Sequence, residues 1–170
     1  MDHIVPRNQS GSDDLSNLEA LCFRCNAAKR WEAGCVFCGL EGSGRVLLEN
    51  ELALCIADAY SVTPGHSLVI PRRHGADGLA LHQPEWNAVV ELLKLRREQL
   101  SAQDASISGW NVGLNSGEAA GQTVFHSDWY LIPRRTGDEK SPRGCVRGGG
   151  YQGQMALLSR GHQDAYAQEA

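Results

Sequence analysis

The sequence predicts an α+β fold. Five short segments have the composition or alternation of β-strands, one long segment has helical periodicity, and a small polar unit precedes them. The strand segments are RVLLEN, ELALCIAD, HSLVIPRRH, GWNVGLNSG and SDWYLIP, and the helical segment follows Pro84. Five strands with one long helix indicate a compact domain in which helix and sheet share one core.

Three units are predicted along the chain, namely residues 1–34, 35–148 and 149–170. In the first unit, DHIVPR reads as a short strand and NQSGSDD as a loop. A helix is expected to start at Ser16, which forms a capping box with Glu19. This unit is too small to bury a core alone, so it needs a metal or a neighbour. The glycine-rich start and polar composition of the third unit indicate a loose tail.

The elements of the second unit follow from turn signals and periodicity. The first two strands are joined by a turn at Glu49-Asn50, and Pro71 ends the third strand. Pro84 opens the helix, whose apolar residues recur at helical spacing. These residues are Trp86, Val89, Val90, Leu93 and Leu100. The fourth strand runs into a glycine-rich loop, and the fifth strand follows that loop.

Composition excludes several classes of protein. The 170 residues are 42% hydrophobic and 21% charged, as expected for a packed globular domain. The net charge of −4 gives no general attraction to nucleic acid or to an anionic membrane. The chain carries neither a signal-peptide pattern at its start nor an apolar run of about 20 residues. We therefore expect a soluble cytoplasmic protein, in which the six cysteines are metal ligands or thiols rather than disulfides.

The second unit resembles the histidine-triad (HIT) family of nucleotide-binding hydrolases and transferases. The resemblance is carried by CVFC at 35–38, ALCIAD, TPGHSLVIPRRH, NVGLNSGEAAGQTVFH and LIPRR, in the family's order and spacing. It implies a HIT-like antiparallel five-stranded meander with one long helix. It also implies a homodimer in which two subunits join into one continuous sheet.

The glycine-rich loop before the last strand is a candidate phosphate site. Its small residues allow close approach of a ligand, and successive backbone N–H groups in such a loop can form an anion nest. Asn115, Gln122 and Thr123 add neutral polar groups suited to phosphate oxygens. By resemblance, Asp58 accepts the ribose hydroxyls and His66 lies near the phosphate. An ordinary surface turn and a solvated strand end are the alternatives for the loop and for Asp58.

The stretch GQTVFHSDWYLIPRR departs from the family at two positions. Alternate strand residues share a face, so His126, Asp128 and Tyr130 are expected to point the same way. In the family all three positions are histidine, the middle one attacks the α-phosphorus, and the third holds it in its reactive tautomer. A carboxylate is a poorer nucleophile towards an anionic phosphate. The usual nucleotidyl hydrolase or transferase activity is therefore expected to be lost or greatly weakened.

A structural zinc site is the second implication of the resemblance. Some bacterial members of the family bind zinc through a CxxC, a histidine after the third strand and the first triad histidine. Here these residues are Cys35, Cys38, His74 and His126. Two thiolates and two imidazoles suit tetrahedral Zn²⁺. Four unrelated residues are the alternative, since spacing alone would not propose this site.

The first unit resembles the later portion of an HNH endonuclease module, a ββα-type zinc-finger-like segment. Asp2 and His3 match its metal ligand and general base, and Asn17 and Asn26 match its later asparagines. Cys22 and Cys25 match half of a zinc knuckle, but no first CxxC precedes them. Residues 1–34 carry four basic and five acidic residues, which is unfavourable for binding a phosphate backbone. A remnant is expected, unless the natural protein starts upstream of Met1.

The sequence thus predicts a divergent HIT-like protein with a pocket for a nucleotide or another phosphate-bearing small molecule. One rival is a repurposed enzyme, in which Asp128 acts as base or nucleophile and Tyr130 as acid or hydrogen-bond donor. A second rival is a DNA-acting HNH protein with the HIT domain as an accessory. The sequence does not name a substrate.

Overall fold

A computed structural model describes residues 2–3, 13–19, 32 and 34–139. Strands β1 (Asp2–His3) and β2 (Leu18–Glu19) form a two-stranded antiparallel pair. A separate five-stranded antiparallel sheet contains β3 (Val46–Glu49), β4 (Ala53–Ala57), β5 (Ser67–Pro71), β6 (Ile107–Gly113) and β7 (Trp129–Arg135). Helix α1 spans Gln83–Gln103. The predicted five strands and long helix are confirmed.

The last strand lies inside the sheet. The strand order is β3-β4-β5-β7-β6, so β7 pairs with β5 on one side and with β6 on the other. Leu68 pairs with Tyr130, and Gly113 pairs with Tyr130 from the opposite side. Because β7 has a neighbouring strand on each side, the residues just before it lie between the ends of β5 and β6.

Strand alternation gives the sheet two apolar faces. One face carries Leu54, Ile56, Leu68, Ile70, Tyr130 and Ile132, which pack with Phe37, Leu40 and Val124. The other face carries Ala53, Cys55, Val69 and Trp129, which pack against Ala88, Val89 and Leu92 of α1. Both faces of the central strands are therefore buried, and α1 covers one of them.

The start of α1 is fixed by a buried ion pair. Pro84 lies in the first turn, as predicted, and the Glu85 carboxylate accepts a hydrogen bond from the His82 N–H (2.9 Å). Arg73, just after β5, donates to both Glu85 oxygens from Nε (2.6 Å) and Nη2 (2.8 Å). This bidentate pair joins the first turn of α1 to the exit of β5.

The predicted helix start at Ser16 is wrong. Leu15–Asn17 form a single 3₁₀ turn, and Leu18–Glu19 form β2. The backbone of residues 18 and 19 pairs with Asp2 and His3, so a cross-strand ladder replaces the expected capping box. The remainder of the predicted first helix and the predicted C-terminal tail lie outside the described residues. Within the described ranges, no helix has the length and apolar character of a bilayer span.

Candidate functional site

Two cysteines and two histidines converge where β5 ends and β7 begins. Cys35 and Cys38 lie in a turn closed by a hydrogen bond from the Cys38 N–H to the Cys35 carbonyl (3.1 Å). His74 follows β5 and His126 precedes β7. One ligand atom from each of the four side chains lies within 4.8 Å of all the others. We call this group the Cys₂His₂ cluster.

Three sulfur–nitrogen distances within the cluster are short. The Cys38 Sγ lies 3.4 Å from His74 Nδ1 and 3.7 Å from His126 Nδ1, and the Cys35 Sγ lies 3.5 Å from His126 Nδ1. Ordinary zinc–sulfur and zinc–nitrogen bonds at tetrahedral angles place sulfur and nitrogen about 3.6 Å apart. These three sulfur–nitrogen distances are therefore close to those of a tetrahedral zinc site.

Both imidazoles are oriented with Nδ1 towards the sulfurs. His126 Nε2 lies 2.7 Å from the Pro71 carbonyl oxygen, which can only accept, so Nε2 carries the proton. His74 Nε2 lies 3.1 Å from Glu32 Oε2. A histidine that donates from one nitrogen presents a lone pair on the other, as a metal ligand requires.

Burial favours the neutral forms of the Cys38 thiol and the His126 imidazole. Desolvation raises the pKa of the Cys38 thiol to about 11, although a hydrogen bond from the Glu32 backbone opposes the shift. Desolvation lowers the pKa of His126 to about 4, against the opposing effect of the Pro71 carbonyl, and the neighbouring His74 and Arg73 lower it further. The imidazole of His126 is thus in the neutral form that ligates a metal, and a cation would be needed to hold the thiolate.

The three residues after His74 are hydrogen-bonded to the segment between β6 and β7. The Gly75 carbonyl accepts from the Ser127 N–H (2.7 Å), and the Ala76 carbonyl accepts from Gln122 Nε2 (2.8 Å). Asp77 Oδ1 accepts from the Ser116 hydroxyl (3.1 Å). We call residues 75–77 the strap. The strap therefore connects the Cys₂His₂ cluster to the glycine-rich loop through hydrogen bonds.

The glycine-rich loop is a closed turn. Gly117 and Gly121 have φ of 87° and 86°, which favours glycine, and a 3₁₀ turn lies between them. The N–H groups of Gly117, Ala120, Gly121 and Gln122 all donate within the loop. These four groups are therefore not the open anion nest that the sequence suggested.

Gln122 is built into this turn. Its side chain is buried, with Oε1 accepting from the Gly117 N–H (2.8 Å) and Nε2 donating to the strap. Asn115 Nδ2 makes a longer bond to the Gly121 carbonyl (3.4 Å), and Asn115 is half-buried. Thr123 is also half-buried. Gln122 is thus held inside the loop, and phosphate binding by Asn115, Gln122 and Thr123 stays a prediction.

Asp58 and His66 form a buried pair. Both side chains are completely shielded from solvent, and Asp58 Oδ2 lies 3.3 Å from His66 Nδ1. Asp58 Oδ1 accepts from the Tyr60 N–H (2.9 Å). The structure brings these two predicted residues together but turns the Asp58 carboxylate inward. Binding of ribose hydroxyls by Asp58 would require this carboxylate to become accessible.

The start of β7 lies between the two substituted triad positions, Asp128 and Tyr130. The strand begins at Trp129, so Asp128 lies just before it and is half-buried, whereas Tyr130 lies within it and is 5% exposed. Side-chain directions still alternate, because Trp129 packs on the α1 face and Tyr130 on the opposite face. His126 contacts Phe37 on the Tyr130 side, with ring centroids 5.9 Å apart.

Sequence reasoning missed two residues of this region. A side chain at Gly113 would come within 2.8 Å of Tyr130 Cζ, so the phenol ring lies directly over the glycine backbone. An isolated glycine in a strand pattern is a known signal of such close approach. Glu32, beside His74, had no comparable signal in the sequence.

The residues that match the HNH pattern are only partly described. Asp2 and His3 lie in β1, and Asn17 ends the 3₁₀ turn before β2. Cys22, Cys25 and Asn26 lie outside the described residues. The prediction that Cys22 and Cys25 do not complete a zinc knuckle therefore stays a prediction. Cys35 and Cys38 meet His74 and His126 within the described part of the chain.

Comparison with known families gives two matches. The HIT domain model matches residues 40–137, and the HNH endonuclease model matches residues 1–31. An uncharacterized HIT-like protein of Mycoplasma genitalium is 37% identical over 109 residues, covering 62% of this chain and 77% of the relative. The adenosine 5'-monophosphoramidase HNT1 of Saccharomyces cerevisiae is 30% identical over 121 residues, covering 69% of this chain and 72% of the relative. The adenylylsulfatase HINT3 of Arabidopsis thaliana is 32% identical over 114 residues, covering 61% of this chain and 54% of the relative.

Solved structures give the same fold. A zinc-bound histidine triad family protein from Mycobacterium smegmatis superposes with a TM-score of 0.54 at 30% identity, covering 79% of this chain and 94% of the other. A HIT family protein from Bacillus anthracis superposes with a TM-score of 0.58 at 29% identity, covering 80% of this chain and 96% of the other.

Proposed function

Because this chain belongs to the HIT-domain family, we propose that it is a divergent member that binds a nucleotide or another phosphate-bearing small molecule. In this proposal the protein does not form a nucleotidyl-histidine. The usual hydrolase or transferase activity is lost or greatly weakened, and the scaffold and its metal centre are retained.

The observation that carries the proposal is the aspartate at position 128. It lies two residues beyond His126 and directly before β7, at the position that matches the family's attacking histidine. A carboxylate there repels an incoming phosphate, whereas a neutral imidazole does not. Tyr130, at the matching third position, is buried in the core and packs over Gly113. This supports a packing role for the phenol rather than orientation of a nucleophile.

A phosphate-bearing ligand is supported by the loop between β6 and β7. Asn115 and Thr123 flank its compact turn and are half-buried, and Thr123 lies five residues before Asp128 in sequence. The names of two relatives, an adenosine 5'-monophosphoramidase and an adenylylsulfatase, support an adenylyl-type ligand.

The Cys₂His₂ cluster supports a structural zinc ion in the same proposal. Cys35, Cys38, His74 and His126 would hold it, with both histidines ligating through Nδ1. Bound zinc would supply a closed four-ligand link between the turn at 35–38 and the ends of β5 and β7. The zinc-bound relative from Mycobacterium smegmatis supports this choice of metal.

The proposal also includes a cytoplasmic location and a homodimer. A thiolate metal centre needs reduced cysteines, which favours the cytoplasm. Within the described residues, β6 pairs only with β7 and exposes Val112. Its outer edge supports a homodimer in which a second copy extends the sheet.

Two other functions have specific support. A half-buried carboxylate at position 128 also suits a repurposed enzyme, with Asp128 as base or nucleophile acting on an unidentified substrate. The HNH match over residues 1–31 supports a DNA-acting protein if the natural chain carries a complete module.

The test is turnover of adenosine phosphoramidate and diadenosine polyphosphates. We expect no turnover by the natural chain and a gain of turnover in the Asp128→His variant, alone or combined with Tyr130→His. The matched control is Asp128→Asn, which removes the charge without adding an imidazole. Thermal-shift titrations with AMP and with inorganic phosphate measure binding in parallel.

Robust turnover by the natural chain would refute loss of the nucleophile. Absence of binding to AMP and phosphate by every variant would refute the phosphate pocket and favour the repurposed enzyme. Cleavage of DNA by a longer natural chain would favour the nuclease.

A further inference from the structure

Glu32 contacts three of the four residues of the Cys₂His₂ cluster. Its carboxylate Oε2 lies 3.1 Å from His74 Nε2, and its N–H donates to the Cys38 sulfur (3.5 Å). Its carbonyl oxygen accepts from the Cys35 N–H (3.1 Å). A residue outside the CxxC and outside both histidine motifs therefore organises most of the cluster.

The Glu32 carboxylate acts on His74 through the nitrogen opposite the cluster. By accepting the Nε2 proton, it leaves the Nδ1 lone pair directed at the Cys38 sulfur, which lies 3.4 Å away. A carboxylate partner also increases the basicity of the imidazole and strengthens its bond to a cation. The Glu32 N–H in turn stabilises negative charge on the Cys38 sulfur. Both contacts favour the ligating forms of these side chains.

The two histidines are held by different kinds of partner. His126 is fully buried and donates to a neutral carbonyl, that of Pro71. His74 is partly exposed, and its partner is a charged carboxylate that is itself 67% exposed. His126 Nε2 is therefore held by the packed core, whereas the partner of His74 Nε2 is one surface side chain.

We propose that Glu32 is a positioning residue of the metal centre, forming a carboxylate–histidine–zinc arrangement with His74. This inference rests on the zinc site of the proposed function. Glu32 directly follows the stretch that matches the HNH model. Because Glu32 contacts the cluster through its backbone and its side chain, metal loading and the conformation of the chain at residue 32 depend on each other.

The test measures zinc affinity by competition with a chromophoric chelator in the full chain. Glu32→Ala is expected to weaken zinc binding about 10- to 100-fold, the range seen when such outer partners are removed. Glu32→Gln keeps an acceptor oxygen without the charge, so its loss is expected to be smaller. Glu51→Ala, which removes an exposed glutamate from the turn between β3 and β4, is the control and should leave the affinity unchanged.

A spectroscopic readout separates positioning from loss of a ligand. The cobalt-substituted protein should keep its thiolate charge-transfer bands in Glu32→Ala, because both cysteines and both histidines remain. If the natural chain binds no zinc, the metal site itself is refuted, and this inference with it. If the natural chain binds one zinc and Glu32→Ala binds it equally tightly, only the role of Glu32 is refuted.

Discussion

Replacing Glu85 with glutamine removes the charge from a buried ion pair that joins α1 to the exit of β5. Arg73 and Glu85 side chains are only 9% and 3% exposed, and two short bonds connect them. Their interaction is therefore screened little by solvent, unlike that of a surface pair. The variant leaves the Arg73 guanidinium buried without its counter-charge.

The expected loss follows from this geometry. Removing one partner of a buried pair typically costs about 3–5 kcal/mol of the free energy of unfolding. Glutamine can still accept one bond from Arg73 and one from the His82 N–H, so we expect the lower end, about 3 kcal/mol. For a chain of this size, that corresponds to a fall in Tm of about 6–12 °C.

The loss of unfolding free energy in Glu85→Gln should depend on pH. Burial acts to raise the pKa of Glu85, but hydrogen bonds from Arg73 and from the His82 backbone outweigh it and leave the pKa lowered. A lowered carboxyl pKa contributes stability that is present above its unfolded value, near 4.3, and is lost as pH falls through the folded value. The difference in the free energy of unfolding between the natural chain and Glu85→Gln should therefore be largest at pH 7 and should decrease below about pH 4.

Urea unfolding followed by circular dichroism measures these differences. Glu98→Gln is the control, because Glu98 lies on the same helix and is exposed, and its effect should stay within about 0.5 kcal/mol. Replacing both members of the pair together, as Arg73→Met with Glu85→Leu, should cost less than Glu85→Gln alone. A loss below about 1 kcal/mol for Glu85→Gln at pH 7 would show that the pair is not desolvated as described.

Two further predictions concern the metal centre and the end of α1. Removing zinc with a chelator should lower the Tm by about 5–11 °C, if zinc is normally present at 100-fold its Kd. Adding zinc, but not magnesium, should restore the Tm. An unchanged Tm after chelation would contradict a structural ion. The Ser106 hydroxyl, together with Arg135, lowers the pKa of the Asp104 carboxyl to about 2. Carboxyl-carbon NMR titration should find this value, and Ser106→Ala should raise it; an Asp104 pKa near 4 in the natural chain would contradict the hydrogen-bond geometry.

Strand and helix positions were predictable because their signals are local. Pro71 closes β5, and Pro84 lies in the first turn of α1, as proline's missing N–H requires. The small first unit was harder. Ser16 and Glu19 have the residue types of a capping box, but Leu18 and Glu19 pair with β1, and a ladder between distant segments is not visible as a local pattern.

The four residues of the Cys₂His₂ cluster were predictable in identity, whereas the hydrogen-bond partners of the loop residues were not. Cys35, Cys38, His74 and His126 are far apart in sequence, and only resemblance to a family placed them together. Resemblance did not reveal that Gln122 would use both ends of its amide inside the loop. Such hydrogen-bond partners depend on side-chain packing across the sheet, which periodicity does not encode.

The phenol of Tyr130 has a consequence for any substitution at position 130. Its ring occupies the space over Gly113, where even a methyl group would collide with it, and it fills part of the core between β5 and β6. A smaller imidazole at position 130 would leave a gap over a residue that has no side chain to close it. A histidine at position 130 would therefore affect the packing of the core as well as the site, because other side chains would have to fill the space over Gly113.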